Sequence, residues 1–202
     1  MKRFIVFVLL FSATIYVVYS QSIDMDLYGQ RRNIITQFVE TYKGAYEKMD
    51  IEYLQDVFGE EALIITETNV IRVESEKNRT NGRIKVLNKN EYKRIVESKA
   101  QYLQRLKTVF KDNVAIRLSV ANMKIYVHRD YHDIYGLSFL QSWKSMDNSS
   151  LLLEDDNPGY IFMMIDFKKG NDFPIVHVRT WQPDSHIKKE SDIYNLYDFV
   201  IL

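Results

Sequence analysis

Between Arg31 and Met49 the apolar side chains recur at steps of three and four: Ile35, Phe38, Val39, Tyr42, Ala45, Tyr46 and Met49. Residues so spaced share one face of an α-helix, and the pattern predicts a helix over this stretch. Asp50 follows as a candidate N-cap, whose carboxylate can accept the unpaired amides of a second, shorter helix. Tyr53, Leu54, Val57 and Phe58 give that helix its apolar side, and Gly59 suits its end. Short strands are expected at 62–67 and 70–74, with Asn81-Gly82 as a turn and a return strand at 84–87. Asn88 and Glu91 have capping-box spacing. They predict a third helix whose stripe is Tyr92, Ile95, Val96, Lys99, Leu103, Leu106 and Phe110. Lys99 interrupts the stripe, where its aliphatic stem can cover the core while the ammonium reaches water.

From Val114 the period changes to two. Strands are expected at 114–128, 134–145, 160–168 and 173–181, joined by short turn-like links at 129–133, 146–158 and 169–172. Short links between neighbours predict an antiparallel meander. Helices first and strands last predict an α+β domain with the N-terminal helices on one face of the sheet. The tail from Asp184 begins polar and ends apolar, in Tyr197-Asp198-Phe199-Val200-Ile201-Leu202, which suits an added strand.

The N-terminus has a different pattern. Lys2 and Arg3 precede an almost wholly apolar run from Phe4 to Tyr19, and Val18 and Ser20 are small enough for the −3 and −1 positions of a cleavage site before Gln21. That layout is a secretory leader, and the run is short for a spanning helix. The expected organisation is a signal peptide at 1–20, a loose segment at 21–30, one domain at 31–183 and a tail at 184–202. The expected location is secreted or periplasmic, with membrane contact only if the leader is retained.

Composition then narrows the function classes. Lys plus Arg and Asp plus Glu stand at 27 each, without the basic excess of a nucleic-acid binder. No cysteine is present, which removes disulfides, thiolate metal sites and a cysteine nucleophile. Seven glycines and no phosphate loop, Gly-x-Ser-x-Gly elbow or zinc-protease motif leave no cofactor expected. His128 and His132 stand four apart among acids. That spacing aligns two imidazoles only on a helix, and here it falls on a turn, so no metal is expected. The glycosylation patterns Asn78-Arg79-Thr80 and Asn148-Ser149-Ser150 read as chance matches.

The order of elements resembles the nuclear-transport-factor-2-like superfamily, also called SnoaL-like. The residues that carry the resemblance are Tyr42-Lys43-Gly44-Ala45-Tyr46, Asp50-Ile51-Glu52-Tyr53-Leu54, and the run from Val57-Phe58-Gly59 through Ala62 to Ile65. Tyr160 to Phe167 and His177 to Pro183 are similar to stretches of exported proteins of Gram-negative bacteria. The resemblance covers roughly Arg31 to Pro183. It implies a strongly curved antiparallel sheet wrapped on the helices, a conical pocket, and a homodimer through the sheet face. In isomerases of the superfamily the base is a strand carboxylate. Here Thr66 stands at that position, and Glu67, one residue on, points to the other face.

Alternation places His177, Arg179 and Trp181 on one face of the last expected strand, with Asp166 on its neighbour and Gln141 and Trp143 on the strand before. If those faces coincide, the six converge. Tyr42 and Tyr46, one helical turn apart, could add hydroxyls to such a pocket, although a tyrosine stripe also serves as core. Two functions stand ahead of a third, a structural role in the cell envelope with no ligand. One is an exported module that binds an unknown small molecule, apolar in part or anionic, or a protein. The alternative is a cofactor-free lyase, isomerase or hydrolase with His177 as base, Asp166 orienting it and Arg179 stabilising negative charge. Thr66 in place of a carboxylate favours binding.

Overall fold

A computed structural model describes residues 27–77, 84–147, 158–167, 173–193 and 198–202. The leader expected at 1–20, the Asn81-Gly82 turn and both glycosylation patterns lie outside the described residues. The chain divides into two compact units, Met1–Glu40 and Thr41–Leu202. In the first unit residues 27–40 are helical, so helix begins inside the segment expected to be loose, and Ile35, Phe38 and Val39 are buried.

The second unit opens with the end of that helix (α1, residues 27–47). Met49 takes a left-handed φ of 57°. This lets its amide bond the carbonyl of Tyr46 and the amide of Asp50 bond that of Ala45, at 3.1 and 2.8 Å. These two bonds satisfy the last carbonyls of the helix. Helix α2 (Ile51–Val57) then starts at the expected cap, with the Asp50 carboxylate accepting from the Tyr53 amide at 2.9 Å. It ends at Val57, and Gly59 is already in a strand.

The sheet has seven strands: β1 (Phe58–Lys77), β2 (Ile84–Ser98), β3 (Asn113–His128), β4 (Ile134–Asp147), β5 (Gly159–Asp166), β6 (Ile175–Pro183) and β7 (Phe199–Ile201). Their order is β2-β1-β6-β5-β4-β3-β7, in one strongly curled sheet. Strands β3 to β6 form the antiparallel meander that the two-residue period and short links required. β1 lies against β6 in parallel, so the sheet is mixed at that one pair and not antiparallel throughout.

The stretch 84–98 departs most from expectation. The capping-box spacing of Asn88 and Glu91 starts no helix. Instead 84–98 pairs residue for residue with a single long β1, from Lys77↔Ile84 to Leu63↔Ser98. β1 also covers both short strands expected at 62–67 and 70–74. Ile95 and Val96, assigned above to a helical stripe, sit exposed in β2. Both are β-branched and fit a ladder at least as well as a helix. Helix α3 (Lys99–Asp112) begins one residue later, at a complete capping box made by Ser98 and Gln101. Its buried face is Lys99, Tyr102, Leu103 and Leu106. The ammonium of Lys99 reaches the Glu60 carboxylate at 2.7 Å.

The sheet has two differently covered faces. Toward residues 41–47 of α1 and toward α3 it presents Ile161, Met163, Phe139 and Leu137, all fully buried. On the opposite face Tyr126 and Phe162 pack with Ile193 and Phe199 of the tail. β7 adds to the sheet edge through Val127↔Val200. Gly136 makes room for this cluster, since a β-carbon there would stand 3.0 Å from both Phe162 and Phe199.

Candidate binding cavity

A cavity of about 360 Å³ opens between α1, α3 and the sheet, lined by Tyr46, Tyr102, Arg105, Gln141, Trp143, Arg179 and Trp181, with Thr66, Leu106 and Val109. Strand pairing explains why these residues meet. Met163↔Arg179 and Ile161↔Trp181 join β5 to β6, and Phe139↔Ile161 joins β4 to β5. Phe139, Gln141 and Trp143 therefore share the face of Arg179 and Trp181. Of the six residues expected to converge, four do so.

His177 and Asp166 do not join them. The register of β5 and β6 slips at a β-bulge, passing from Met164↔Val178 to Ile165↔Val176, so His177 is the extra residue and strict alternation ends there. Its Nε2 meets Asp166 Oδ2 at 2.8 Å. Asp166 lies three residues from Met163 on β5, and so on the opposite face from Arg179. The pair forms as the sequence suggests, but behind the sheet, partly exposed, and not among the residues lining the cavity. Gly59 leaves room for the imidazole, since a β-carbon there would stand 3.3 Å from His177 Nδ1.

The charge in the cavity comes from Arg179, which is only 5% exposed. Its Nε donates to Tyr42 Oη at 2.9 Å, and its Cζ lies 5.4 Å from the centre of the Tyr102 ring. Among the described residues no carboxylate lies within ion-pairing distance of it. Burial works against the guanidinium's charge, which is met by the Tyr42 hydroxyl and the face of the Tyr102 ring. Arg105 approaches the same ring, with Cζ 5.2 Å from its centre. Its charge, unlike that of Arg179, is matched by Glu97 through two hydrogen bonds of 2.9 and 2.6 Å. Of the two described cations that line the cavity, Arg179 is therefore the one without a carboxylate partner among the described residues.

Behind Arg179 a chain of phenols fills the core. Tyr42 Oη donates to Tyr46 Oη at 2.9 Å, and Tyr46 shares a hydrogen bond with Tyr102. Burial pushes the pKa of Tyr42 and Tyr46 well above 10.0, so both stay neutral donors and acceptors. Tyr46 both lines the cavity and packs edge-on to Trp143, with centroids 5.9 Å apart. Tyr42 stands one layer back. Gln141 is 6% exposed, and its side chain makes no hydrogen bond among the described residues, with Oε1 buried and unpaired. Such a group costs free energy unless something binds it.

Tyr102 and Arg105 lie on the flank of the expected stripe, which ran through Lys99, Leu103 and Leu106 and left both out. Ser98-x-x-Gln101 was the signal that would have placed them. Thr66 lines the cavity, and Glu67 bonds His186 Nδ1 at 3.0 Å. The turn at 129–133 holds His128, whose Nδ1 accepts from the Asp130 amide at 3.1 Å. No group of three metal-ligating side chains occurs among the described residues.

No protein-family model matches the sequence, and no curated protein matches it. Several solved structures do. One is a conserved protein from Planctomyces limnophilus, with a TM-score of 0.54 at 11% identity, covering 76% of this chain and 97% of that one. Another is the beta subunit of a proposed aromatic-ring-hydroxylating dioxygenase from Novosphingobium aromaticivorans, with 0.52 at 17%, covering 78% and 92%. A nuclear-transport-factor-2-like superfamily protein from Salmonella enterica gives 0.51 at 13%, covering 75% and 89%. At these identities the likeness concerns the fold alone, and the fold is the nuclear-transport-factor-2-like one.

Proposed function

We propose that this chain is a binding module for a small, flat organic anion, held in the cavity with Arg179 as its charge anchor. The observation that carries this reading is a guanidinium only 5% exposed with no carboxylate beside it among the described residues. A buried ion met only by neutral groups costs several kcal/mol, roughly, relative to one in water. An anionic ligand entering the cavity would remove that cost. The planar fork of arginine suits a carboxylate in a bidentate arrangement. The indoles of Trp143 and Trp181 and the rings of Tyr46 and Tyr102 suit a planar body. A volume of about 360 Å³ is near the lower end for small-molecule sites, which favours one ring or two.

An enzyme in which His177, Asp166 and Arg179 act on one substrate is less well supported, because Asp166 alternates to the face opposite the cation and the bulge in β6 turns His177 there with it. The chain's two tryptophans are the two that line the cavity, so intrinsic fluorescence reports on it directly. Titration with benzoate is expected to change that emission saturably, and benzylamine, the cationic counterpart, is expected to leave it unchanged. In Arg179→Met the benzoate response should weaken by at least about tenfold, the size of effect expected on losing a charge-assisted pair. The same variant should unfold at equal or higher denaturant concentration, because an uncompensated buried charge has gone. Benzoate binding that survives in Arg179→Met would sink the proposal.

A further inference from the structure

Gln141 narrows the ligand further. It enters the cavity from β4, while Arg179 enters from β6 with β5 between them, so the two polar groups stand at separate places on the wall. The side chain is more than nine-tenths buried and pairs with nothing among the described residues. An amide so placed offers both a donor and an acceptor, and leaving it unpaired when a ligand excludes water carries a penalty. The wall beside the two polar groups carries both indoles. Trp181 lies on the Arg179 side and Trp143 is two residues beyond Gln141. Trp181 is held against the backbone of Gly159, which pairs with Gln141.

We infer that the ligand is a hydroxylated aromatic carboxylate: its carboxylate on Arg179, its ring against the indoles and its hydroxyl on the Gln141 amide. This rests on the reading of the cavity as an anion site and adds to it a second, neutral recognition point. A hydroxyl meets either end of the amide, donating to Oε1 or accepting from Nε2. A carboxylate with an apolar ring leaves Gln141 unpaired in a dry site. Sites built to hydrogen-bond a hydroxyl discriminate strongly against analogues that lack it.

The test is the affinity of the full chain for benzoate, 3-hydroxybenzoate and 4-hydroxybenzoate, followed by tryptophan emission, in the wild type and in Gln141→Leu. At least one hydroxybenzoate is expected to bind about tenfold tighter than benzoate to the wild type. In Gln141→Leu that preference should vanish, the hydroxybenzoate losing its advantage over benzoate measured in the same variant. Gln141→Asn, which keeps the amide on a shorter stem, should restore part of the preference. Equal affinity of all three acids for the wild type would overturn the inference and leave the anion site standing. A preference that persists in Gln141→Leu would overturn the assignment to Gln141. If none of the acids binds, the anion reading itself fails, and this inference fails with it.

Discussion

Trp181 can lie flat along β5 because residue 159 has no side chain. A β-carbon there would collide with Trp181 Nε1 and Cε2. The glycine leaves the space that the indole fills, and the conflict decides what a larger residue does. In Gly159→Ala the ring has to swing off the strand, which both disturbs packing and changes the cavity wall. The expected cost is about 1–3 kcal/mol in stability, typical of overpacking. A shift of the tryptophan emission maximum and a loss of benzoate affinity should accompany it, and unchanged emission would contradict the geometry. Arg179 shows the opposite tension. Its burial opposes folding, and stability given up at a site is commonly the counterpart of function there.

At the scale of elements, the ends were harder to read than the middles. α1 stops because Met49 adopts a left-handed φ of 57°, although a side chain with a β-carbon is costly in that region. The two bonds that close the helix need this conformation, so the chain accepts the strain. Met49→Gly should relieve it and, after allowance for the added freedom of the unfolded chain, raise stability by about 0.5 kcal/mol. In urea this would appear as a higher midpoint with an unchanged slope. A lower midpoint would mean that the partly buried methionine side chain contributes more than the strain costs. The ribbon of β1 and β2 makes a related point. Its residues 88–98 satisfy helical spacing, but a partner strand fifteen residues deep in register captured them.

At the scale of the second unit, Thr41–Leu202, one curled sheet keeps two separate activities of packing apart. One face meets residues 41–47 of α1 and helix α3 and holds the cavity. The other is closed by the tail, where Phe199 packs edge-on to Phe162 with centroids 5.5 Å apart and edge-on to His128 at 5.2 Å. Phe199→Ala should therefore cost about 3 kcal/mol of stability, as large truncations in a core do. It should leave the benzoate response nearly unchanged, because the cavity lies across the sheet. Loss of binding in a still-folded Phe199→Ala protein would show that the two faces are coupled.

The residues themselves were enough for the meander from 114 to 181, where a two-residue period and short links leave few ways to pair. They were also enough for α2, whose cap Asp50 and apolar side were both visible. Alternation along each strand correctly grouped Gln141 with Trp143 and Arg179 with Trp181, since side-chain direction within an unbroken strand is a local property. Three things depended on the tertiary structure. The fate of 84–98 depended on a partner strand distant in sequence, because spacing alone fits helix and ladder alike. The separation of His177 from Arg179 depended on a single bulged residue, which breaks alternation without a mark in the sequence, and that of Asp166 on the register that sets Met163 opposite Arg179. The isolation of the Arg179 charge depended on which carboxylates came near it. Glu97 went to Arg105 and Asp166 to His177, and partnerships of that kind are made by through-space packing, which sequence order does not encode.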